Sequence, residues 1–191
     1  MAGRIGVLAL QGDVFEHVHA FRHALGDRGD VSLFRYASDI PSFDGIVIPG
    51  GESTTLMRQI QKAGMVTPLQ KFEGGIFATC AGMVILASEL QDNSRFEPLG
   101  IMDMTVKRNA FGRQRESFEA NIECSGLDSP FHAVFIRAPV ATRTGYETRV
   151  FASLPQGYVA VSHGLHMAFS FHPELGGDLR LHTLFLDRLF L

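Results

Sequence analysis

The chain has 191 residues, 46% hydrophobic and 19% charged, with 17 Lys+Arg against 20 Asp+Glu for a formal net charge of −3. That length fits one domain able to bury a core without disulfides or a structural metal, and the composition excludes intrinsic disorder and the basic stripe of a nucleic-acid binder. Two cysteines, Cys80 and Cys124, make no disulfide framework, and no run approaches the ~20 apolar residues of a membrane span, so a cytoplasmic protein engaging neither nucleic acid nor membrane is expected.

The continuous apolar run Ile5–Leu10 predicts a strand buried on both faces. Gln11-Gly12-Asp13 breaks it, with Asp13 placed to cap a helix to about Leu25. Strands follow at Val31–Tyr36 and Gly45–Ile48. The second ends at Pro49-Gly50-Gly51, where Ser53 or Thr54 would cap a helix to about Ala63. A strand over Gly75–Thr79 leads to a helix from about Gly82 to Leu90. This alternation predicts a parallel sheet covered on both faces. The second half reads as successive strands: Ile101–Val106, Ser117–Cys124, Ala133–Ile136, Arg149–Ala152, Gly157–Ser162 and Met167–Phe171. They predict an antiparallel extension of the sheet or a small second sheet. A last helix covers Asp178–Leu191.

Three segments carry candidate chemistry. Gly75-Ile76-Phe77-Ala78-Thr79-Cys80-Ala81-Gly82-Met83 places a cysteine among small residues at a strand–turn–helix junction. That is the layout of a nucleophile elbow, at the sheet edge where open α/β folds bind ligands. A buried structural cysteine accounts for the segment equally well. In Phe169-Ser170-Phe171-His172-Pro173-Glu174, His172 and Glu174 are two apart in extended chain and share a face. The carboxylate can thus orient an imidazole that serves a cysteine as general base. Pro49-Gly50-Gly51-Glu52-Ser53-Thr54-Thr55 brings backbone amides to a strand-to-helix turn. It lacks the Gly-Lys-Ser/Thr ending of a phosphate-binding loop, and a plain capped turn also explains it.

These segments occur in order with Gly6-Val7-Leu8-Ala9-Leu10-Gln11-Gly12, Arg108-Asn109-Ala110-Phe111-Gly112-Arg113-Gln114, Phe135-Ile136-Arg137-Ala138-Pro139 and Leu175 after Glu174. With them the chain resembles the class I glutamine amidotransferases and, among these, the glutaminase subunits of two-component pyridoxal 5′-phosphate synthases. The resemblance runs from residue 6 to residue 175. It implies a three-layer, flavodoxin-like α/β fold: a mostly parallel sheet with helices on both faces and an antiparallel extension, forming one glutaminase domain over residues 1–191.

By the same resemblance, Cys80 is the nucleophile toward the amide of L-glutamine, His172 the base and acid, and Glu174 the residue that orients His172. The N–H groups of Gly51 and Ala81 form the oxyanion hole. Gly50, Gly51, Glu52, Arg108, Ile136 and Arg137 hold the substrate. No metal and no cofactor is implied. The partner is a synthase subunit with a (β/α)₈ barrel fold that receives the ammonia, and the Gln11-Gly12 turn is placed at its interface or in a switch. One position departs from the pattern: Ala78 stands where the family has glycine two residues before the cysteine, and activity is expected to survive that methyl. It keeps a catalytically silent regulatory subunit open as a reading, beside a cysteine hydrolase of other specificity. His19 and His23 read as a solvated helix face, Cys124 as structural, and His163 and His166 match no role.

Overall fold

The computed structural model describes residues 3–91, 96–112 and 117–190; Arg113, Gln114 and Leu191 lie outside the described residues. In the strand β4 (Gly75–Thr79), Ile76 and Ala78 enter one apolar core while Phe77 enters another on the opposite face. The same split runs through β1 (Gly3–Leu8) and β3 (Gly45–Ile48): Ile5, Val7 and Val47 go one way, Leu8, Ile46 and Ile48 the other. A strand with both faces buried has to read as an unbroken apolar run, which is how these segments appear in the sequence.

The helix α1 (Val14–Leu25) buries Val14, Val18, Phe21 and Leu25 in the first core. There it meets the C-terminal helix α5 (Arg180–Phe190), which contributes Leu181, Phe185 and Leu186. On the opposite face α2 (Ser53–Lys62) buries Leu56, Met57 and Ile60. A five-residue helix, α3 (Val66–Gln70), follows it, and then α4 (Ala81–Leu86), which packs against α2. Helix, sheet and helix make three layers.

Ten strands form the main sheet. β2 (Gly29–Phe34), β1, β3, β4 and, from far along the chain, β12 (His166–Phe169) lie side by side and parallel. Beyond β12 the sheet turns antiparallel through β11 (Gly157–His163), β9 (Val140–Thr144) and β6 (Met102–Lys107). The strand β5 (Ala87–Leu90) closes the edge parallel to β6, and β10 (Thr148–Leu154) pairs beside β11. A separate hairpin of β7 (Ser117–Ile122) and β8 (Phe131–Ile136) packs Phe131, Ala133 and Phe135 on the α1/α5 side. The two expected arrangements for the second half, extension and second sheet, thus both occur.

The helix expected from Gly82 to Leu90 stops at Leu86. Ala87 turns extended, with ψ 155°, and pairs with Met102, so that Glu89 and Leu90 join the ladder of β6. Local pattern cannot separate a short apolar helix from a short apolar strand, and here a partner fifteen residues away in sequence decides. β9 and α3 were not among the predicted elements.

Ala78 is fully buried in an extended strand, paired between Ile48 and Ala168, with no positive φ. Its methyl is accommodated because Gly82, two residues past the cysteine, has no side chain; a Cβ there would lie 3.1 Å from that methyl and 2.4 Å from the Ile48 carbonyl oxygen. Backbone cannot retreat as a flexible side chain can. Gly82→Ala is therefore expected to destabilise the chain by about 1–3 kcal/mol, the cost of overpacking. A lowered midpoint in urea with unchanged slope would report it.

Candidate active site

The carboxyl ends of four adjacent parallel strands, in the order β1, β3, β4, β12, deliver the candidate residues to one edge. β1 runs out to Gln11 and Asp13, β3 to Gly50–Glu52, β4 to Cys80 and β12 to His172 and Glu174. β2 lies on one side of β1 and β3 on the other, so the strand order reverses here, the place where such sheets bind ligands. The Gln11 amide bridges two of the turns, donating from Nε2 to the Glu52 carbonyl at 2.7 Å.

Cys80 stands between β4 and α4 with φ 48° and ψ −103°. A non-glycine residue in so sparse a region stores on the order of 1–3 kcal/mol, and the surroundings must hold it there. Its amide does so by donating to the Phe169 carbonyl of β12 at 2.8 Å. The thiol, 8% exposed as a residue, donates to the Ile136 carbonyl at 3.7 Å.

His172 is buried, and its amide donates to the Val134 carbonyl of β8 at 2.9 Å. Its Nδ1–H donates to Glu174 Oε1 at 2.7 Å, with both side chains almost wholly enclosed. Burial alone would push the imidazole toward neutrality. The hydrogen bonds with Asp13, Cys80 and Glu174 outweigh it and hold His172 well above the usual histidine range.

Behind Glu174 lies a histidine with no role in the sequence reading. His17, fully buried on α1, places Nε2 3.0 Å from Thr79 Oγ1 and 3.4 Å from Glu174 Oε1. Burial, the largest influence, pushes it toward the neutral form. Its Nδ1 has no partner among the described residues, so the single proton belongs on Nε2, shared between the threonine oxygen and the carboxylate. By contrast, His19 and His23 lie on the exposed face of α1, as expected. His163 and His166 pair across the β11–β12 turn, at the far end of β12 from the site.

Asp13 and Glu52 exchange the roles expected of the local chain. Asp13 occupies the N-cap position of α1 without a side-chain bond to the helix, and its Oδ2 is 3.2 Å from His172 Nδ1. The cap of α2 is Glu52, not Ser53 or Thr54: its Oε1 accepts from the Thr54 amide at 3.0 Å and its Oε2 from the Thr55 amide at 2.6 Å. Burial, the largest single influence, opposes ionisation of Glu52, but the bonds from Thr55 and Thr54 together prevail and bring its carboxyl down to about 2. A carboxyl depressed on folding stabilises above its unfolded value, near 4.5, and that contribution is lost as pH falls toward 2. Glu52→Ala is expected to cost roughly 1 kcal/mol at neutral pH, the usual loss on removing a cap, and to converge on the parent chain in acid. Urea titrations at the two pH values measure the difference.

A cavity of about 280 Å³ opens over Cys80 and His172. That is near the lower end for small-molecule sites, a size for an amino acid rather than a nucleotide. Of the residues expected to hold substrate, Gly51, Glu52, Arg108, Ile136 and Arg137 line it, with Ala81 beside the cysteine. Gly50 instead lies against the imidazole, where a Cβ would come 2.6 Å from His172 Cε1. Arg108 donates to Thr54 Oγ1 at 3.4 Å. Arg137 is exposed and takes a positive φ of 44°, as does Asn109 at 48° on the facing loop. Cys124 is buried away from the cavity, and burial pushes its thiol up to about 11.

The family model for the SNO glutamine amidotransferase family matches residues 7–190. The pyridoxal 5′-phosphate synthase subunit PdxT of Methanosphaerula palustris is 60% identical over 190 residues, covering 97% of each chain. The PdxT of Methanoculleus marisnigri is 56% identical over 191 residues, covering 99% of each. A crystal structure of a glutamine amidotransferase superposes with a TM-score of 0.89 at 41% identity, over 98% of this chain and 99% of that one.

Proposed function

The chain belongs to the SNO glutamine amidotransferase family, and on that premise we propose that it is the glutaminase subunit of a pyridoxal 5′-phosphate synthase, a cytoplasmic enzyme that hydrolyses L-glutamine and passes the ammonia to a synthase subunit with a (β/α)₈ barrel fold. The observation that carries this reading is one cavity lined by both a strained cysteine and an imidazole whose Nδ1 is fixed on a buried carboxylate 2.7 Å away.

With Nδ1–H held by Glu174, the other ring nitrogen of His172 faces the thiol chemistry. His172, held toward the imidazolium by its carboxylates, carries the Cys80 proton while Sγ attacks the side-chain amide carbon of glutamine. The carbonyl electrons move onto oxygen, and the N–H groups of Gly51 and Ala81 receive that oxyanion. His172 returns the proton to the departing nitrogen, the C–N bond breaks, and ammonia leaves a glutamyl thioester on Cys80. Water then adds, giving one proton to His172. The thiolate leaves and is reprotonated, and glutamate is released. Arg108 and Arg137 supply the cations for the substrate α-carboxylate, which a guanidinium can grip through two parallel bonds. Gly50, Gly51, Glu52 and Ile136 frame the rest of the substrate.

The test is release of ammonia and glutamate from L-glutamine, by the chain alone and with a synthase subunit. Release that rises with the partner is the expected result. Association of the two chains without release in any mixture overturns the glutaminase reading in favour of a silent subunit.

A further inference from the structure

A histidine Nδ1–H carries one proton and needs one acceptor. Here it has two carboxylates: Glu174 Oε1 at 2.7 Å and Asp13 Oδ2 at 3.2 Å. Two anions crowded on one N–H repel each other unless a cation stands between them. Asp13 also leaves its expected place. At the N-cap of α1 its carboxylate bonds none of the free helix amides, forgoing the stabilisation a cap supplies. The backbone leaves room for it: a Cβ on Gly50 would sit 3.2 Å from Asp13 Oδ2 and 2.6 Å from His172 Cε1.

We propose that Asp13 is a positioning residue of the glutaminase reaction, a second carboxylate that stabilises His172 as the imidazolium whenever Cys80 has surrendered its proton. The inference rests on the glutaminase reading above. The two carboxylates divide the work by their surroundings. Glu174 is enclosed and fixes the ring and its tautomer. Asp13 is 38% exposed in its side chain and lines the cavity, so it acts through space and adds charge on the solvent side. The groups that face His172 are then Cys80 from the turn between β4 and α4, Asp13 from the start of α1 and Glu174 from its own loop. His17 stands behind Glu174, and Arg108 and Arg137 lie across the cavity. The pairing acts in both directions, holding the Asp13 carboxyl below its usual range.

Asp13→Asn keeps the shape and removes the charge. An opposite charge at this distance moves a pKa by roughly 1–3 units, and partial exposure puts the expectation at the low end. In the full chain, with the imidazole followed by NMR, the His172 titration is expected to move down by about one unit. In complex with the synthase, kcat is expected to fall about tenfold with KM nearly unchanged. Three outcomes overturn the proposal: an unmoved His172 titration; a lower melting temperature with unmoved titration, which makes Asp13 a plain helix cap; or a raised KM with kcat and titration unchanged, which makes it a contact for the substrate ammonium. Asp13→Glu, which restores the charge, is expected to recover the titration at least in part. The NMR titration uses no glutamine, so failure of the glutaminase reading, seen as no turnover by the parent complex, remains distinct from failure of this one.

Discussion

Cys80→Ala in complex with the synthase is expected to lower glutamine hydrolysis at least about a thousandfold, while the fold and the docking of the two chains persist. Without the sulfur no thioester forms, and only the oxyanion donors and substrate contacts still act on the reaction. A thousandfold is about 4 kcal/mol of transition-state stabilisation. The fold persists because alanine has the same Cβ at φ 48° and the backbone bond to Phe169 is untouched. The side chain gives up its long contact with the Ile136 carbonyl and its hydrogen bond with His172. Ammonia release, thermal melting and co-elution with the synthase, measured on one preparation, separate these effects. Cys124 serves as the control: buried, with its thiol pushed up to about 11, it is a poor nucleophile. Cys124→Ser is expected to leave turnover per folded molecule unchanged. Full turnover by Cys80→Ala would remove the elbow cysteine from the reaction and with it the mechanism.

Much of this site was legible because its parts are encoded locally. A strand buried on both faces writes itself as an apolar run. Small residues around Cys80 mark the sharp turn, and the spacing of His172 and Glu174 makes them neighbours whatever the rest of the chain does. What stayed hidden depends on residues distant in sequence. Asp13 reads as a helix cap until His172, brought in on β12, offers a stronger partner. Glu52 takes over capping α2 because the turn after β3 aims its carboxylate back along the helix axis, which no one-residue pattern records. His17 looks like one more histidine on a polar helix; only the packing of α1 over β4 and the loop after β12 shows that it faces a buried carboxylate. At Ala87–Leu90 the local apolar pattern favours helix continuation, and pairing with β6 overrides it.

The carboxylate between the two histidines gives the sharpest test of how charge, rather than shape, runs the site. Glu174→Gln preserves volume. Its amide oxygen can take the Oε1 position, accepting from His172 Nδ1–H and from His17 Nε2–H as the carboxylate does. The NH₂ group then falls where Oε2 lies, buried and without a partner among the described residues, an unmet donor in a closed space. Rotating the amide relieves that donor only by aiming it at His172, which forces the proton to the wrong ring nitrogen. Either way the imidazolium loses its enclosed counter-charge. The expected fall in kcat is about a hundredfold to ten-thousandfold, the upper figure being that of the corresponding change in a serine protease triad. KM is expected to stay within about twofold, since Glu174 does not line the cavity. With Glu174 neutral, Asp13 becomes the remaining anion on Nδ1. Asp13→Asn is therefore expected to cost more in the Glu174→Gln background than in the parent, a non-additivity that a double-mutant cycle on kcat measures directly. Additive losses would mean that the two carboxylates act on the imidazole independently. An unchanged kcat for Glu174→Gln would reverse their ranking and make the half-exposed Asp13 the principal partner of the catalytic base.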